Sequence, residues 1–248
     1  MFSGDTHTYS VVETRRGGLR GHLSDGISAF KGVRFAEPPF GANRMRPPQP
    51  VEPWQGVRDA LEFGPKSPQV PYPPGLAEAI PELVGSGEDC LTLNIWTPQI
   101  GAAGPPVMVW IPGGMFEFHA TGATPLYDGT RFARDGVVCV TVGYRVGAEG
   151  FLYLGDGIAN LGLWDQIAAL EWVRENIAAF GGDPGKVTIF GESAGAMSVA
   201  TLLGMPRAKG LFRRAIVQSG NTPKVNTADT AQRIAHRLAE LLGVEPTR

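Results

Sequence analysis

The sequence predicts a doubly wound α/β fold, a mostly parallel sheet covered by helices and entered through an N-terminal region of antiparallel strands. Three observations lead there. Five short runs are apolar almost throughout, helical periodicity separates them, and the first fifty residues break into short strands divided by glycines. Apolar runs without alternation suit strands buried on both faces. Strands alternating with helices imply right-handed crossovers and a layered α/β architecture.

Each element follows in order. TYSVVET, GLRGHL and ISAFKGVRFA are the N-terminal strands. From Glu37 to Pro81 the chain is dense in proline (EPPFGANRMRPPQP, then PQVPYPPG). Proline lacks an N–H and fixes φ, so this stretch is expected to wrap the surface as a long ordered loop. The buried strands are LTLNIW (91–96), VMVWI (107–111), VVCVTV (137–142), VTIF (187–190) and AIVQ (215–218). Between the third and fourth, Leu163, Ile167, Leu170, Val173 and Ile177 keep a 3.6-residue period, and Gly181-Gly182 supplies the stop. A second helix runs from Asp229 to Leu242. The expectation is one domain over residues 1–248.

Composition narrows the function. The chain has 248 residues, 43% of them hydrophobic, and a formal net charge of −2. That balance gives no electrostatic reason for a nucleic-acid or anionic-membrane partner. No run of 18 apolar residues exists, so no membrane-spanning helix is expected. The N-terminal segment lacks the apolar stretch of a signal peptide, which makes the cytosol the default address. Cys90 and Cys139 form neither a disulfide framework nor a zinc pattern.

The chemistry-bearing motif is Gly191-Glu192-Ser193-Ala194-Gly195. In a chain with 34 glycines, G-x-S-x-G alone is weak. Its context is what counts, because it stands between the strand VTIF and the helix AGAMSVATLL. Such a turn forces Ser193 into a strained backbone and lifts its Oγ above the sheet. Side chains in place of the flanking glycines would collide across so tight a turn. The helix starting at Ala194 aims free N–H groups at a developing oxyanion. A second candidate is Pro112-Gly113-Gly114-Met115-Phe116, directly after VMVWI. It reads equally as an amide-presenting loop or as a plain βα turn.

These motifs resemble the type-B carboxylesterase family, the cholinesterase-like branch of the α/β-hydrolases. FGGDPGKVTIFGESAG (Phe180–Gly195) is similar to the family's serine signature, and EDCLTLNIW (Glu88–Trp96) to its second signature. AFKGVRFAEPP, VMVWIPGGMF, GYRVGAEGF, NLGLWDQ and AIVQSG follow in the family's order. The resemblance implies a carboxylic-ester hydrolase with Ser193 as the acylated nucleophile and no metal or organic cofactor. It implies oxyanion donors at the backbone N–H groups of Gly114, Met115 and Ala194. Pro112 stands where the family usually has His, a change expected to alter loop rigidity more than the donor set. Glu192 either biases the local field and holds water or braces the elbow. Ser219 either joins a hydrogen-bond network under the triad or satisfies its own backbone. Arg44–Glu88 and Arg145–Asp165 match internal ion pairs of the family, and both are read as structural. Cys90 has no upstream cysteine to pair with, which fits a reducing compartment. No tryptophan lies between Gln55 and Gly87, where cholinesterases carry the one that stacks on quaternary ammonium, so a choline ester is not the expected substrate.

A serine nucleophile needs a histidine base and an acid that orients it. The histidines are His7, His22, His119 and His236. Only Asp229 and His236 satisfy the order Ser, acid, His. Both fall on one amphipathic helix, whereas triad acid and base sit on loops after successive strands. The expectation is therefore that the chain corresponds to the N-terminal half of a carboxylesterase, with acid and histidine beyond residue 248. The runner-up is a non-catalytic α/β-hydrolase fragment or interaction module. A strand left open at the sheet edge is expected to promote pairing or aggregation.

Overall fold

The computed structural model describes residues 8–79, 85–101, 104–118, 121–220 and 225–247. The N-terminal strands β1 (Thr8–Glu13), β2 (Gly18–Ser24) and β3 (Ile27–Arg34) form an antiparallel meander. A short β4 (Val57–Asp59) lies parallel to the start of β2. The proline-dense segment contributes no further long strand, only the helix α1 (Pro74–Ala79). Then come β5 (Thr92–Thr97), β6 (Val107–Ile111), α2 (Thr130–Arg134), β7 (Val138–Val142), α3 (Gly147–Phe151) and α4 (Leu161–Asn176). The chain continues through β8 (Val187–Glu192), α5 (Ala194–Gly204), β9 (Arg214–Gln218) and α6 (Ala228–Leu242).

The strands join in the order β1-β2-β3-β5-β7-β6-β8-β9, with β4 on β2. β7, β6, β8 and β9 are parallel neighbours, the arrangement expected of the crossovers. One strand departs from the expectation. β5, as apolar as the parallel strands, runs antiparallel to both β3 and β7. Every residue of it is buried. An unbroken apolar run reports burial on both faces and says nothing of strand direction. β9 departs in the other sense, because Ile216 and Val217 are exposed. It is the last strand of the order, and among the described residues no strand pairs with its outer side.

Ile167, Leu170 and Val173 of α4 pack with Leu93, Val109, Val140 and Ile189 of the sheet in one core. Each such fully buried side chain contributes about 1.5–3 kcal/mol relative to exposure. Phe30 and Phe180 meet edge to face at 4.9 Å in the same core. The α4 stripe read from the sequence is buried, yet so are Asp165, Gln166 and Asn176 on its other sides. α4 is enclosed nearly all round.

The two expected ion pairs divide. Arg145 and Asp165 are both fully buried, with Nη2 to Oδ1 at 2.7 Å and Nε to Oδ2 at 2.8 Å. Arg44 instead pairs with Glu149 of α3, donating from Nε and Nη2 to Oε1 at 2.9 and 2.5 Å. Glu88 is exposed, and its neighbour Asp89 takes Arg34. The Arg44–Glu88 expectation is thus corrected. The fold brings Glu149, 105 residues on in the chain and itself half-buried, to the guanidinium, which stays largely in solvent. Cys90 and Cys139 are buried and free.

Candidate active site

β8 delivers the chain to Ser193 from between its parallel neighbours β6 and β9, and α5 begins at the next residue. Ser193 itself makes the turn, with φ 55° and ψ −122°. An L-residue in so sparse a region costs about 1–3 kcal/mol and persists only when its surroundings over-determine it. They do here. The Ser193 N–H donates to the Gln218 carbonyl of β9 at 3.0 Å, and the Ser193 carbonyl accepts from Met197 N of α5 at 3.0 Å. Among the described residues none hydrogen-bonds the hydroxyl, and the side chain is half-buried.

The flanking glycines are needed for different reasons. A Cβ at Gly191 would stand 2.6 Å from the Gly195 backbone, the collision across the turn that the motif implies. A Cβ at Gly195 would run into the Ile111 carbonyl oxygen and lie 2.9 Å from Pro112. Gly195 therefore makes room for β6 and its loop rather than for the turn itself.

That loop closes on the elbow. A Cβ at Gly113 would stand 2.6 Å from the Glu192 carbonyl and 3.2 Å from the Ser193 Cβ. Beyond it Gly114, Met115 and Phe116 all have positive φ, at 110°, 58° and 63°. The Gly114 carbonyl accepts from both Glu117 N and Phe118 N at 3.0 Å, tying the turn to itself. Among the described residues none accepts a hydrogen bond from the amides of Gly114, Met115 or Ala194. Ala194 opens α5, so its N–H also carries the positive end of a helix dipole. The loop is no simple βα turn, since such a turn has no need of three left-handed residues in a row.

Glu192 is exposed, and its charge reaches the phenol of Tyr127. Burial pushes that phenol up to about 12, with Glu192 adding and Trp110 opposing. Tyr127 packs on Trp110, and Trp110 on Phe190, at 5.1 and 4.9 Å. Ser219 follows the register pair Glu192↔Gln218, which sets it beside Ser193, exposed and with φ 54°. Tyr144 and Gly147, which the sequence reading passed over, hold the glycine loop by hydrogen bonds to Pro112 and Phe116. Nothing in the spacing signals them; only the folded register of β6 and β7 brings them there.

The histidines fare differently. His7 and His119 lie outside the described residues. His22 belongs to β2, five strand positions from β8, or about 24 Å across the sheet. His236 and Asp229 both lie on α6, seven residues apart, a rise of about 10 Å along the axis. Asp229 cannot orient His236 over that span, so the compact Ser193–Asp229–His236 arrangement is not a triad. Among the described residues no group of three His, Cys, Asp or Glu side chains is placed to hold a metal.

The deciding comparison is with a family model: that of the carboxylesterase family matches residues 8–248. The chain belongs to the carboxylesterase family. Its relatives in that family include the para-nitrobenzyl esterase of Bacillus subtilis (strain 168), 45% identical over 243 residues, covering 96% of this chain and 49% of the relative. The phenmedipham hydrolase of Pseudarthrobacter oxydans is 44% identical, covering 96% of this chain and 50% of the relative. A solved carboxylesterase of Geobacillus stearothermophilus superposes with a TM-score of 0.86 at 46% identity, covering 95% of this chain and 50% of its own. The fold is therefore the α/β-hydrolase fold of carboxylesterases. The chain spans about half the length of the relatives it matches.

Proposed function

We propose that this chain carries the nucleophile and oxyanion hole of a carboxylic-ester hydrolase. In this reading the Ser193 Oγ attacks the carbonyl carbon of a small ester, and the charge on the carbonyl oxygen is met by the amides of Gly114, Met115 and Ala194. The tetrahedral intermediate expels the alcohol and leaves Ser193 acylated. Water then attacks the acyl-enzyme and frees the acid. This reading gives the Ser193 proton to a base, oriented by an acid, both of which lie beyond residue 248. Glu192 biases the field at the mouth of the site, and Ser219 lies next to the elbow as a supporting hydroxyl. Two free buried thiols support a reducing, cytosolic setting.

One observation carries the reading: a serine held at φ 55° between a buried parallel strand and a helix start, against a glycine loop with undonated amides. The test is covalent labelling by a fluorophosphonate, with p-nitrophenyl acetate turnover, in the wild-type chain and in Ser193→Ala and His236→Ala. Label should appear on Ser193 alone, with turnover slower by several orders of magnitude than that of a complete triad. Ser193→Ala should abolish both signals and His236→Ala neither. Turnover at ordinary enzyme rates that His236→Ala abolishes would place the base on α6 and overturn this account. A Ser193 that stays unlabelled even when the chain is joined to the C-terminal half of the Bacillus subtilis relative, which would supply a base and an acid, would reject it as nucleophile.

A further inference from the structure

The stretch that follows β7 touches the glycine loop at both of its ends. Tyr144 is fully buried, and its hydroxyl donates to the Pro112 carbonyl at 2.7 Å. Three residues on, the Gly147 N–H donates to the Phe116 carbonyl at 2.7 Å. Between those two carbonyls lie Gly113, Gly114 and Met115. The gripping stretch is itself immobilised. Arg145, also fully buried, binds both carboxylate oxygens of Asp165 on α4, its backbone N–H adds a third bond to Oδ2 at 3.0 Å, and its Nη1 donates to the Arg46 carbonyl at 2.9 Å. Phe116 further meets Phe151 of α3 edge to face, with ring centroids 4.9 Å apart.

We infer that residues 144–147 form a two-point clamp that holds the glycine loop in its left-handed, donor-presenting shape, with Tyr144 as the positioning residue. The inference rests on the reading of Gly114 and Met115 as oxyanion donors and extends it to what sets their direction. The physical need is plain. Met115 and Phe116 sit at φ values that L-residues avoid, so the loop would relax if released. On one side it is blocked by the elbow, where Gly113 meets Glu192 and Ser193. On the other side the clamp resists, together with the Phe116–Phe151 contact and the turn's own bonds to the Gly114 carbonyl. The Pro112 carbonyl is the hinge before the donors, and a hydrogen bond there fixes the peptide plane that leads into them. Arg145–Asp165, read from the sequence as purely structural, becomes the anchor of that bond through the residue next to Tyr144. Burial keeps the Tyr144 phenol protonated far above neutral pH, so the donor persists through the working range of an esterase.

The test compares wild type with Tyr144→Phe, which keeps the ring and deletes the donor, by backbone amide exchange and by the rate of Ser193 phosphonylation. Exchange over residues 112–118 should accelerate while residues 187–192 of β8 keep their protection, a split that general destabilisation would not produce. The maximal labelling rate should fall about tenfold at unchanged half-saturation, less than the roughly hundredfold loss on deleting an oxyanion donor itself. Equal exchange over 112–118 in the two proteins overturns the clamp. If wild-type Ser193 labels too slowly to compare, as a serine without its base does, the exchange comparison alone decides the clamp, and the nucleophile reading is judged separately by labelling with base and acid supplied. Should Tyr144→Phe not fold, Pro112→Ala decides in its place. That variant frees φ but keeps the carbonyl acceptor, so its loop exchange should match wild type, and a faster loop would assign the restraint to the proline ring and reject the hydroxyl.

Discussion

Gly195 tolerates no side chain, because a methyl there meets the Ile111 carbonyl. Gly195→Ala should therefore push β6 from the elbow, costing about 1–3 kcal/mol as overpacking does, and should suppress Ser193 labelling. Thermal melts read alongside labelling check both effects. The buried pair is the other residue-scale test. Asp165→Ala would leave the Arg145 guanidinium uncompensated inside the protein, a loss of about 3–5 kcal/mol visible in denaturant melts. Cys90 and Cys139 supply a pH dependence. Burial pushes both thiols up to about 12, above the ordinary 9.0, so the folded protein holds their protons longer than the unfolded chain. That stabilisation is full below about pH 9 and is lost as pH rises through the folded values. A thiol reagent at pH 8 should find neither cysteine until the protein is denatured. At this scale Ser193 and its glycines were legible because the turn needs fixed residue types at fixed spacing. Glu149 as the partner of Arg44 was not, since Arg44 and Glu149 are 105 residues apart and nothing local ties them.

Of the three long helices α4, α5 and α6, the last is the most loosely held. It contributes only Ala235 and Ala239 to the buried set, while Ile234, Leu241 and Leu242 remain exposed. Its ends are well made all the same. Thr227 accepts from Thr230 N at 3.2 Å, and Gly243 takes the left-handed closing position at φ 66°. Thr227→Ala should cost about 1 kcal/mol of helix stability, and α6 amides should exchange well before those of α4. Hydrogen exchange followed peptide by peptide checks both. The helix was legible from its amphipathic spacing, whereas its capping residues Thr227 and Gly243 lie outside the bounds read from the sequence. The direction of β5 was not, because period and burial are the same for parallel and antiparallel strands enclosed on both faces.

For the whole molecule, no strand among the described residues covers the outer side of β9. An unpaired strand edge with exposed Ile216 and Val217 is a template for a second chain. The protein is expected to self-associate with rising concentration, and Val217→Lys should reduce that association. Sedimentation velocity across a concentration series measures it, and a chain that stays monomeric throughout would reject the expectation. The order of strands was not legible, since pairing between β3 and β5, or β6 and β8, depends on residues distant in the chain. The residues that supply a base were not legible as a site at all: a histidine count carries no geometry, and α6 spreads Asp229 and His236 over two helical turns.

The loop at Gly114–Phe116 also carries a statement about chirality. α5 opens a right-handed turn and Gly114 a turn of left-handed residues, and among the described residues none accepts from the first amides of either. The proposed anion cradle thus lies between chain segments of opposite hand. Natural side chains at 115 and 116 lean against their backbone by about 1–2 kcal/mol each. Mirror-image amino acids would not. A semisynthetic chain carrying D-alanine at position 115 should keep the amide donor and melt at a higher temperature than its L-alanine counterpart.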